Sequence, residues 1–67
     1  MNYIEILEKN RNFKIDVELK SIERIIEFIK EYKDYSNIGH EIFNIERCIH
    51  SIKEINFDYS IKKNEYK

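Results

Sequence analysis

Two runs of strict alternation constrain this chain most. In FKIDVELK, residues 13–20, Phe13, Ile15, Val17 and Leu19 alternate with Lys14, Asp16, Glu18 and Lys20. Successive side chains of a strand point to opposite faces, so a period of two with polar partners is the pattern of a half-buried strand. INFDYSIK, residues 55–62, repeats it, with Ile55, Phe57, Tyr59 and Ile61 on one side and Asn56, Asp58 and Ser60 on the other. A small sheet needs a third strand or a helical cover to be stable, which turns attention to the N-terminus. There Ile4 and Ile6 fit an inward strand face, with residues 9–12, KNRN, as a hairpin connection, because asparagine tolerates turn backbone. Ile4, Leu7 and Tyr3 fit a short helix on spacing as well.

Between the two runs the period changes. In residues 21–35, Ile22, Ile25, Ile26, Ile29 and Tyr32 recur at three and four positions, the spacing of one side of a helix, and Phe28 widens that side. Ser21 is placed to cap the helix, and the exposed pairs Glu27 with Lys30 and Lys30 with Asp34 support it weakly. Ser36, Asn37 and Gly39 form the only cluster of turn formers in the middle of the chain and give a short helix-helix connection. A second helix is expected from about Ile38 or Gly39 to Glu54. Its Ile38, Ile42, Ile45, Ile49 and Ile52 are spaced four, three, four, three, which keeps a narrow stripe turned towards a neighbour.

The expected fold is therefore α+β, a small antiparallel sheet covered by a two-helix hairpin in the order ββααβ. The alternative is an all-helical hairpin with irregular ends. The 67 residues are read as a single small globular domain, with residues 62–67, which include Lys62, Lys63 and Lys67, as a frayed tail. A chain this short buries only about 60% of the surface its unfolded form exposes, so its core is thin and burial against a partner helps it. Fourteen isoleucines, nine aromatic residues and the absence of proline nevertheless belong to a chain that folds.

Composition narrows the function. Twelve basic and thirteen acidic residues give a net charge of -1, without the positive excess of a protein that neutralises many phosphates. The single Cys48 has no internal disulfide partner, no cationic start followed by an apolar run marks a signal peptide, and no apolar run approaches the ~20 residues of a membrane span. A cytoplasmic setting is expected, with no membrane partner. One glycine cannot build a phosphate-cradling loop.

The stretch HEIFNIERCIH, residues 40–50, raises the question of a metal or catalytic site. On a helix, Cys48 and His50 diverge by about 160°. His40 and Cys48 lie about 12 Å apart along the axis, too far to share one zinc ion. A cysteine nucleophile also needs its histidine base within hydrogen-bond reach. Cys48 reads as a small half-buried hydrophobe. The carboxylate pairs Glu23 with Glu27 and Glu27 with Glu31 read as solvated surface charges. No catalytic, cofactor-binding or metal-ligating residue is assigned, and neither enzyme activity nor a small-molecule substrate is expected.

The unusual residue is Phe43, on the far side of the helix from the isoleucines, with His40, Arg47 and His50 around it. Aromatic and arginine side chains together are what interface hot spots are enriched in. His40, Phe43, Arg47, His50 and Tyr35 are therefore the candidate protein-binding residues, and Tyr32 and Phe28 could extend them. The expectation is a small interaction or regulatory domain that forms a homodimer or binds and modulates a partner protein. The alternative is a nucleic-acid-binding regulator using Arg47, His50 and Lys53, with Lys9, Arg11 and Lys14 as a second basic patch.

Overall fold

The structure is a computed structural model that describes residues 2–32 and 34–66. Two long helices lie antiparallel: α1 (Tyr3–Tyr32) and α2 (Gly39–Glu65), joined through a single 3₁₀ turn, Tyr35–Asn37. Among the described residues there is no strand, so the α+β sheet order ββααβ does not exist and the helical hairpin replaces it. Its ends are regular, with both helices running almost to the termini.

The reason lies in how alternation maps onto a helix. Residues two apart are about 200° apart around the axis, so alternate positions form two sets of i, i+4 pairs on nearly opposite sides. Ile15 is half-buried against α2 and Leu19 flanks the seam on one broad face, while Phe13 and Val17 lie on the opposite side of the helix. Likewise Ile55 and Tyr59 are half-buried against α1, and Phe57 and Ile61 are exposed. The KNRN segment is no hairpin turn but part of α1. Its asparagines permit a turn without imposing one, and no proline or glycine interrupts the helix. Ser21 is no cap either. It sits in mid-helix, where its hydroxyl donates to the Val17 carbonyl at 3.2 Å.

The true start of α1 is Asn2, whose Oδ1 accepts the Glu5 amide at 2.8 Å. That satisfies one of the amides left orphaned at a helix N-terminus, and the Glu5 charge suits the positive end of the helix dipole. The expected connection is where the sequence puts it. The Asn37 amide donates to the Asp34 carbonyl at 3.2 Å, the Ser36 hydroxyl donates to Asp34 Oδ1 at 2.7 Å, and α2 begins at Gly39.

The seam between the helices keeps a four-three repeat along its whole length. On α1 the half-buried positions Ile4, Glu8, Arg11, Ile15, Glu18, Ile22, Ile25 and Ile29 follow it; on α2, Ile38, Glu41, Ile45, Cys48, Ile52, Ile55 and Tyr59 do. This is the repeat that keeps one face of each helix on its neighbour in a coiled coil. The molecule is long and thin, with extents of 50 × 19 × 8 Å. A seam between only two helices leaves every side chain near an edge, and among the described residues none is fully buried.

Candidate interaction surface

The five residues singled out from the sequence do not converge. Phe43 is 56% exposed and projects away from α1, as does His50, whose Nε2 stands 2.8 Å from Glu54 Oε1 on the same helix. His40 and Arg47 turn towards one broad face of the hairpin. His40 lines an open depression there with Arg24, Ile25 and Phe28, while Arg47 lines another with Glu18, Cys48 and Ser51. Tyr35 lies in the 3₁₀ turn, exposed. The rings of Phe28 and Tyr32 stack with centroids 5.6 Å apart at the closed end of the hairpin.

Among the described residues no group of three or more histidine, cysteine, aspartate or glutamate side chains could hold a metal ion. Cys48 lies in the seam beside Glu18. Burial, followed by its hydrogen bond to Glu18 and that carboxylate's charge, pushes the thiol above its ordinary pKa, against the opposite pull of Arg47. A raised pKa means less thiolate and a weaker nucleophile.

A polar cluster occupies the open end of the seam. The Tyr59 hydroxyl donates to Glu8 Oε1 at 3.1 Å, and the Arg11 guanidinium carbon lies 4.3 Å from the centre of the Tyr59 ring. Burial comes first in raising the Tyr59 pKa; the hydrogen bond and charge of Glu8 add to it, and Arg11 lowers it. Beyond the cluster, the rings of Tyr3 and Tyr66 meet at 4.9 Å and close the termini together. Glu8, Arg11 and Tyr59 thus tie the two helices in one register.

The two broad faces of the hairpin differ. One carries the depressions, where Lys14, Glu18, Arg24, Arg47, Glu54 and Asp58 are interspersed with Phe13, Val17, Ile25 and Phe28. The other is apolar over the half nearest the connection. On α1, Ile15, Leu19, Ile22, Ile26 and Ile29 run along it, and on α2, Ile38, Ile42, Ile45, Ile49 and Ile52. Within each set every other residue is in the seam, and the intervening ones lie about 70–95° from the seam centre. Because the helices are antiparallel, that turn takes Leu19 and Ile26 to the same broad face as Ile42 and Ile49. These four are 39–44% exposed. The α2 isoleucines read from the sequence as one inward stripe are therefore split between the seam and this face. Leu19 and Ile26 were not read as surface residues; the signal for them is that positions 15, 19, 22, 26 and 29 repeat the spacing of 38, 42, 45, 49 and 52.

No helix among the described residues is long and apolar enough to cross a membrane. Compared with family models, with curated proteins and with solved structures, the chain matches none.

Proposed function

We propose that this chain is a protein-interaction module, and that it docks through the isoleucine and leucine face of its helical hairpin. The observation that carries this is the contiguity of Leu19, Ile26, Ile42 and Ile49 beside a seam that buries no residue completely. Large contiguous apolar patches on soluble domains mark sites of association, and spacing of four and three is how one helix meets another. Modulating the partner, rather than chemistry on a substrate, is the role such a surface suits. The Phe43, His40, Arg47, His50 and Tyr35 positions stand outside this face.

Nucleic-acid binding has less support. Arg47 and Lys53 are about 120° apart around α2, His50 is engaged with Glu54, and Arg11 of the second basic patch is held against Tyr59. The test is the native size of the complex that holds the tagged chain in its own cell extract. Ile26→Glu with Ile49→Glu should reduce that size, and Arg47→Glu with Lys53→Glu should leave it unchanged. The reverse pattern, together with nuclease sensitivity, would overturn the docking role in favour of nucleic acid.

A further inference from the structure

The same face also indicates what covers it. The chain exposes 5571 Å², whereas a compact folded monomer of 8.3 kDa exposes about 4,600 Å². The surplus over the whole molecule is about 1,000 Å², enough to supply the roughly 800 Å² that each partner contributes to a standard stable interface. The radius of gyration, 15.7 Å, likewise exceeds the ~11 Å of a compact chain of this length. This hairpin has the surface of half a bundle.

The face also matches itself. Its α1 and α2 stripes have identical spacing, each extends about 21 Å along its helix, and the two run in opposite directions at the same level. An interface between identical copies related by a twofold axis needs a patch that is complementary to itself. Four exposed aliphatic side chains, Leu19, Ile26, Ile42 and Ile49, set beside six seam isoleucines and without a charge among them, satisfy that, since no like charges are brought together. At the outer edges stand Asp16, Glu23 and Lys30 on α1 and Glu46 and Lys53 on α2, so both signs are present on each helix. Opposite charges can therefore meet across the rim of a self-paired face.

We propose that the partner on this face is a second copy of the chain, the two hairpins packing their isoleucine and leucine faces together as a four-helix bundle. This rests on the docking role assigned to the face. Sedimentation equilibrium of the purified chain over a range of concentrations tests it. The wild-type protein should run at twice the chain mass, with a thermal midpoint that rises with concentration. Ile26→Glu with Ile49→Glu should weaken dimerisation by about a hundredfold, because each copy would have to bury unpaired charge. Phe43→Glu with Phe57→Glu, on the outward surface, should leave the dimer intact. If the charged pair also loses its helix, the milder Leu19→Gln with Ile42→Gln should show the same direction of change, and wild-type melting decides by itself. A wild-type monomer with a concentration-independent midpoint overturns the second copy. The docking role survives that result if the cellular complex still depends on Ile26 and Ile49. A dimer that persists in both face variants overturns the two together.

Discussion

The two halves of the hairpin solve the same packing problem differently. Near the connection the seam is almost all isoleucine, from Ile22 and Ile25 through Ile45, and aliphatic side chains spill onto one broad face. Near the termini the seam holds Glu8, Arg11 and Tyr59, bonded and stacked with one another, and the tyrosine pair Tyr3 and Tyr66. Aliphatic contacts are non-directional and leave the helices free to slide, whereas a hydrogen-bonded polar layer is satisfied in one register only. The aliphatic half supplies driving force, and the polar half supplies alignment.

The aliphatic half is the more sensitive to truncation. Ile22→Ala or Ile45→Ala should each cost about 2 kcal/mol, toward the low end for isoleucine truncation because these positions are only half-buried. That is a large share of the stability of a small domain. Urea unfolding followed by helical circular dichroism measures it; a loss no larger than that from an exposed-site variant such as Phe57→Ala would contradict this account of the seam. In the polar half, Tyr59→Phe removes one hydrogen bond and should destabilise less than either isoleucine truncation, in the same urea unfolding measurement.

Tyr59 also gives this half a pH dependence. Its pKa is raised in the folded chain, so the folded state favours the protonated phenol. The associated stability is fully present below the ordinary tyrosine value, about 10, and is lost as the pH climbs from there through the raised value. Thermal melts in that range should show the wild type losing stability that Tyr59→Phe does not lose. At the cap beyond the seam, Asn2→Ala should cost about 1 kcal/mol, read as increased amide exchange over the first turn of α1.

The smallest effects belong to groups that either half merely carries. Alkylation of Cys48 should have a pH midpoint above that of a free cysteine. Glu18→Gln should lower it without restoring the ordinary value, because the charge is removed while burial remains. His50→Ala should change stability by no more than about 0.5 kcal/mol, as the His50 to Glu54 pair is exposed and four residues apart on one helix.

The same contrast explains what the sequence made legible. The helix through residues 22–32, the connection at Ser36 and Asn37 and the start of α2 at Gly39 could all be read, because their apolar spacing is uninterrupted and their turn formers are clustered. The terminal thirds were misread as strands. There the α1 seam positions include Glu8, Arg11 and Glu18, which interrupt the apolar four-three repeat, and in both runs the outward Phe13, Val17, Phe57 and Ile61 complete an apparent alternation. A polar layer in a seam erases the periodicity that would reveal it. The site suffered from the opposite problem. Phe43 attracts notice as a lone aromatic, while Leu19 and Ile26 hide among residues that look like core.

Gly39 stands at the first position of α2, and a methyl group added there would meet nothing within 4 Å. The bend between the helices therefore depends on the short turn and on closure of the seam, with no steric need for glycine. A chain with alanine at this position and a helical connection would be one rod roughly 100 Å long. Two such rods, antiparallel, could recreate every seam contact between molecules instead of within one. The six residues 33–38 thus decide whether this seam closes within one chain or between two, as a domain-swapped dimer.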